Sequence, residues 1–158
     1  MEQNERTTSF YRFEDLRIYG KAIDYSQWVM GALKEASTKA EKELAKGFCN
    51  SAFAIALNIA EGSSRNKSQF EHYLKISKTA IRECVVFTEI ASKTGMLSET
   101  DYEASRNSLM ELTRMIGALI ISLQHGGRRH RDDEPQTEGE SSESATSDIE
   151  DFDIDTNF

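Results

Sequence analysis

The chain of 158 residues contains a single proline, Pro135, and it stands near the C-terminal end. Everything upstream is free of the side chain most hostile to helix interiors. Cysteine is almost as scarce. Cys49 and Cys84 lie inside apolar helical patterns and form no metal-type pair, so buried, reduced thiols are expected. No stretch approaches the roughly 20 consecutive apolar residues that cross a bilayer. The segment Met1–Ser9 is polar and lacks the apolar centre of a secretion signal, which makes the cytoplasm the expected address and a membrane an unexpected partner. Glycine signatures of catalysis are missing too: there is no nucleophile elbow, no phosphate-binding P-loop and no dinucleotide fingerprint.

Positive charge is absent from the end of the chain. Residues 132–158 hold eleven Asp or Glu and no Lys or Arg, which leaves residues 1–131 with 19 basic and 16 acidic groups. The overall charge of −8 thus conceals a mildly basic domain carrying an acidic tail. The tail is poor in large apolar residues until Ile149, Phe152, Ile154 and Phe158, so it cannot offset the entropy of ordering its backbone. We expect a flexible N-terminus over residues 1–11, one domain over 12–125 and a disordered acidic tail over 126–158. Within the tail, Asp148–Asp155 interleaves acidic and apolar side chains, the composition of a short linear binding motif.

Between these ends, four segments repeat apolar residues at steps of three and four. The first, about Asp15 to Ala36, carries Leu16, Tyr19, Ile23, Ser26, Met30 and Leu33, with a second stripe of Ile18, Ala22, Tyr25, Val29 and Ala32 beside it. The second, about Glu41 to Glu61, has Leu44, Phe48, Ala52, Ile55 and Ile59 on one face, and Gly62 is placed to end it. The third opens on a capping box formed by Ser68 and Glu71 and runs through Phe70, Tyr73, Ser77, Ala80, Cys84, Phe87 and Ala91 to Gly95. The fourth starts at Ser98 and carries Tyr102, Ser105, Leu109, Leu112, Ile116, Leu119 and Leu123 to about Gln124, before Gly126-Gly127. Short links between long helices require antiparallel neighbours, so the expected fold is all-α, an up-down-up-down four-helix bundle.

The second helix has more apolar surface than one core needs. Phe53 and Leu57 point almost opposite to the Phe48, Ile55 and Ile59 face. A helix apolar around most of its circumference must be covered on both sides. Together with Ile18, Tyr25 and Trp28, outside the main stripe of the first helix, these residues are the expected surface for self-association.

Candidate chemistry is sparse. The residues three before His72 and His125 are Gln69 and Ser122, so the Glu-x-x-His pairs of di-iron bundles are missing. No catalytic residue, metal, cofactor or small-molecule substrate is expected. Basic residues do gather around the start of the third helix: Arg65, Lys67, Lys75, Lys78 and Arg82. Lys75, Lys78 and Arg82 share one helical face, an arrangement suited to neutralising nucleic-acid phosphates.

Specific residues carry a family resemblance. They are Phe13-Glu14-Asp15-Leu16 with Lys21-Ala22; Asn58-Ile59-Ala60-Glu61-Gly62; Phe70, Leu74-Lys75-Ile76, Ala80 and Glu83; and Gly95-Met96-Leu97-Ser98 with Tyr102. Over residues 12–124 the chain resembles the bacterial four-helix-bundle proteins of 23S rRNA intervening sequences. The resemblance implies a ring-like homopentamer without enzymatic activity. It also brings in relatives that serve as accessory subunits of the reverse transcriptases of diversity-generating retroelements, binding nucleic acid and the polymerase. Two functions follow as expectations: a homo-oligomeric scaffold that contacts RNA, or a protein-only adaptor to such a reverse transcriptase. Asn58, Glu61, Gly62 and Glu83 then read as structural residues, with Asn58 and Glu61 organising the turn. The chain departs from the family pattern where Cys49-Asn50 replaces a usual Arg-Arg pair and Ala56 a usual proline.

Overall fold

A computed structural model describes residues 10–128. A short 3-10 turn, Arg12–Asp15, leads into four helices: α1 (Arg17–Ala32), α2 (Lys39–Ser63), α3 (Lys67–Lys93) and α4 (Glu99–Arg128). No described residue belongs to a strand. The outer segments 1–9 and 129–158, which include most of the expected tail, lie outside the described residues.

Local chemistry places the helix ends. Leu16 is extended, so the expected first helix divides into the 3-10 turn and α1, which stops at Ala32 rather than Ala36. Thr38 starts α2 earlier than Glu41. Its hydroxyl accepts from the Glu41 N–H at 3.2 Å, and the Glu41 carboxylate accepts from the Thr38 N–H at 3.0 Å, a reciprocal capping box. The Ser37 N–H and hydroxyl also donate to Glu41, and these donors hold its carboxyl down at about 2.

The box expected on Ser68 does not form. Asn66 caps α3 instead, accepting from the Gln69 N–H at 2.9 Å, so Ser68 already lies inside the helix. Glu71 is thereby free to reach Lys75 and Gln124. Ser98 caps α4 as expected, accepting from the Asp101 N–H. Gly95 adopts φ 77° after α3. There the Met96 N–H reaches the Ala91 carbonyl and the Gly95 N–H that of Ser92, the paired closure of a left-handed helix end.

Two glycine stops are overturned. Gly62 lies within α2, which continues to Ser63, and among the described glycines only Gly95 has a positive φ. Its lack of a side chain serves packing. A Cβ there would sit 2.6 Å from Tyr73 Cβ and 2.9 Å from Phe70 Cδ2, so this glycine lets α2 and α3 converge at their shared turn. Gly126 likewise does not end α4, which runs on to Arg128.

Each helix packs on two others, α1 on α2 and α4, and α3 on α2 and α4, with the most extensive contact between α2 and α3. This closed sequence of neighbours and the short links make the up-down-up-down bundle. Phe48, Ile55, Ile59, Leu74, Leu109, Leu112 and Ile116 fill its centre, each contributing about 1.5–3 kcal/mol through burial.

Small hydroxyls tie the interfaces. Ser26 donates to the Ala22 and Ala52 carbonyls, the latter on α2, and Ser77 of α3 donates to the Ile55 carbonyl of α2. Thr88 of α3 and Tyr25 of α1 both meet Ser105 of α4, at 2.7 and 2.8 Å. Because a hydrogen bond tolerates little displacement, these contacts fix the helix register more sharply than apolar packing does.

The orientation of α1 differs from expectation. Its buried residues are Ile18, Ala22, Tyr25, Ser26 and Val29, with Leu33 just beyond, whereas Ile23 and Met30 are exposed. The buried sector lies nearer the second stripe than the first. Arg17, Lys21, Asp24 and Gln27 form the polar face of α1, and the direction opposite their centre falls between the two apolar stripes. Keeping those charged groups solvated limits the rotation, and packing on α2 and α4 together selects it.

Candidate RNA-facing and assembly surfaces

The five expected nucleic-acid contacts separate into distinct environments. Arg65, in the α2–α3 link, is paired with Glu61 one turn back, which favours its charged form. Lys75 is paired with Glu71 at 2.9 Å. Lys75 and Gln124 together hold the Glu71 carboxyl below the usual range. Lys67 lies at the α3 N-terminus, near Gly126 of α4. Lys78 and Arg82 have no acidic partner within 4 Å among the described residues.

α4 adds two cations that sequence reasoning missed. The pairs Glu71–Gln124, Thr88–Ser105 and Glu89–Tyr102 set the register of α3 on α4. Interpolating between them puts Arg82 level with Leu112 and Lys78 level with Ile116. Arg106 and Arg114 lie on the flank of α4 beside them, and neither has an acidic partner within 4 Å among the described residues, although Arg106 is near enough to Glu89 to favour its charged form. Arg106 also lies over the Tyr102 ring at 6.0 Å. In the sequence these arginines are more than twenty residues from Arg82, and only antiparallel pairing joins them.

The expected assembly residues do not form one surface. Ile18 and Tyr25 are 4% and 3% exposed, sealed within the chain's own core, so they are corrected from outer face to core. The Tyr25 hydroxyl sits in a low-dielectric site, and burial raises its pKa. Trp28 stacks on Tyr25 at 5.9 Å and lines a cleft between α1 and α4 with Lys21, Asp24 and Glu111. Lys21 and Glu111 form an ion pair across it at 3.1 Å. Leu57, 66% exposed, and the half-buried Phe53 remain on the outside of α2. The Ser26–Ala52 contact brings α1 alongside α2, where the exposed Ile23 and Met30 flank Phe53 and Leu57. Ile23 and Met30 were missed because they belong to the stripe expected to be core.

The structural residues have more specific roles than a turn. Asn58 donates to the Ala54 carbonyl, one turn back in its own helix, and so does not organise the turn. Glu61 does, through Arg65 and through its carbonyl, which accepts from the Ser64 hydroxyl. Glu83 of α3 accepts from Ser51 of α2 at 2.7 Å, another tie between the most extensively packed pair. α2 passes without a break through Ala56.

Cys84 is buried, and burial pushes its thiol up to about 12. Cys49 is half-buried and raised by the same cause. No group of three His, Cys, Asp or Glu among the described residues is arranged to hold a metal ion. No described helix is long and apolar enough to cross a membrane.

The family model of the 23S rRNA-intervening sequence protein matches residues 14–118, from the entry turn to the middle of α4. The chain belongs to this family. Intervening-sequence proteins therefore supply the context for the Asn58–Gly62 segment and for the Gly95 turn, both inside the matched region. A solved relative, described as a protein of unknown function from the S23 ribosomal protein family of Bacteroides thetaiotaomicron, has the same fold. It aligns with a TM-score of 0.60 at 19% identity, over 65% of this chain and 94% of its own. None of the curated proteins compared with the chain matches it.

Proposed function

We propose that this intervening-sequence protein is a non-catalytic scaffold that associates with itself and binds RNA, alone or in an RNA–protein complex, through the α3–α4 face. The observation that carries the reading is the convergence of Lys78, Arg82, Arg106 and Arg114 on two adjacent helices, none with an acidic group within 4 Å among the described residues. Surface cations left unpaired are available to phosphate oxygens, and releasing phosphate counterions supplies a salt-dependent driving force. The family's description, which names ribosomal RNA, agrees with that partner. Self-association is supported by the apolar strip of Ile23, Met30, Phe53 and Leu57. A ring of five is the order implied by the family resemblance.

The test is binding of a ribosomal-type RNA hairpin to the full chain across a salt series, beside a Lys78→Glu/Arg82→Glu variant. Four phosphate contacts give a log–log salt slope of about −3 to −4, and each lost contact lowers its magnitude by about 1. Salt-insensitive binding, or equal slopes for the two proteins, refutes the assignment of this face. Light scattering tests assembly, and a strict monomer refutes it.

A further inference from the structure

The α3–α4 face is more than a charged surface, because apolar side chains lie among its cations. Val86 of α3 and Met110 and Ile121 of α4 are each about half exposed. By the register above, Val86 lies within a turn of Met110. Phosphate contacts alone leave such side chains uncovered. Their natural complement is a segment that is both acidic and apolar.

The chain carries one. Between residues 148 and 155, Asp148, Glu150, Asp151, Asp153 and Asp155 surround Ile149, Phe152 and Ile154. We propose that this segment docks on the α3–α4 face of its own chain. Its carboxylates meet Lys78, Arg82, Arg106 and Arg114, and its apolar side chains cover Val86, Met110 and Ile121.

Reach and direction fit. α4 is described to Arg128. Arg114 lies fourteen residues back along that helix, about 21 Å at 1.5 Å per residue. Nineteen residues separate Arg128 from Asp148, many of them Gly, Ser, Thr or acidic, and a Gly/Ser-type linker of that length has a root-mean-square span of about 22–26 Å. A linker whose mean span matches the distance gives an effective concentration in the millimolar range. A segment with a Kd of about 1 mM is then docked roughly half of the time. The apolar strip on α1 and α2 also has exposed lysines beside it, Lys39, Lys42 and Lys46 on the outer face of α2, so docking there is the competing outcome.

The docked segment covers the cations that the RNA reading uses and therefore competes with phosphate. Docking itself needs no RNA, so its test stands apart from that reading. Amide NMR spectra of the full chain are compared with those of an Ile149→Ser/Phe152→Ser/Ile154→Ser variant. The expected result is a shift of amides around Arg82, Met110 and Arg114, reproduced by high salt, with those around Ile23 and Leu57 unmoved. An Arg82→Glu/Arg114→Glu variant, shown by circular dichroism to keep its helices, should shift the amides of Asp148–Asp155. On that background, the tail substitutions should no longer move the α3–α4 face. Unmoved α3–α4 amides overturn the proposal, as do shifts confined to the α1–α2 strip. Shifts that vanish on dilution assign the contact to another copy's tail and overturn docking within the chain.

Discussion

Replacing Gly62 by alanine should destabilise the bundle, although alanine is the better helix former. The new methyl carbon would stand 2.6 Å from Tyr73 Cβ and 2.9 Å from Phe70 Cδ2, where unbonded carbons rest about 3.5–4.0 Å apart. Tyr73 Cβ is bound directly to the α3 backbone and cannot rotate away, so relief requires α2 and α3 to part by about 1 Å near their shared turn. Overpacking of this kind costs about 1–3 kcal/mol. Alanine returns up to about 1 kcal/mol of helix propensity, less near a helix end. The net expectation is a loss of about 1–2 kcal/mol, or about 3–8 °C in Tm for a domain of this size.

Gly20 makes the control. A Cβ there meets nothing within 4 Å, so Gly20→Ala, in the first turn of α1, should stabilise slightly, by up to about 0.5 kcal/mol. Thermal and urea unfolding followed by helical circular dichroism would measure both. A Gly62→Ala protein as stable as the parent would refute the close-approach argument.

Three further outcomes follow from the same geometry. The Glu41 carboxyl titrates near 2 when folded, against about 4.3 in an unfolded chain. It therefore contributes stability above about pH 4.5 that fades as pH falls towards 2, so the Tm gap between the parent and Glu41→Gln should close over that range. A gap independent of pH would contradict the capping box. Thr88→Val removes a buried hydroxyl that donates to the Cys84 carbonyl and meets Ser105. The substitution should cost about 1–3 kcal/mol in urea unfolding, and a neutral result would mean that Ser105 and Tyr25 satisfy each other unaided. At pH 8 a thiol reagent should modify Cys49 slowly and Cys84 only after denaturant is added, since burial raises both thiols. Rapid reaction of both cysteines would show that the native interior opens.

The number of helices, their order and most of their caps were written locally. Four runs with a three-and-four rhythm, Ser98 before α4 and Gly95 after α3 each act within a few residues of themselves. Where local signals competed, the wrong one could be chosen. Asn66 and Ser68 are both good caps two residues apart, and the chain uses Asn66. Thr38 with Glu41 was an equally legible box that moves the start of α2. On α1, two neighbouring stripes were similarly apolar, and the polar arc from Arg17 to Gln27 narrows the choice of buried sector.

What the sequence determined by itself was the set of amphipathic helices and the contrast between a mildly basic domain and its acidic end. The tertiary structure alone decided three things. It placed Tyr25 inside and Ile23 outside, because one rotation of α1 must satisfy α2 and α4 together. It turned Gly62 from a stop into a point of close approach, because that constraint comes from Tyr73 and Phe70 on another helix. It also brought Arg106 and Arg114 beside Lys78 and Arg82, because antiparallel packing joins residues that a local pattern keeps apart.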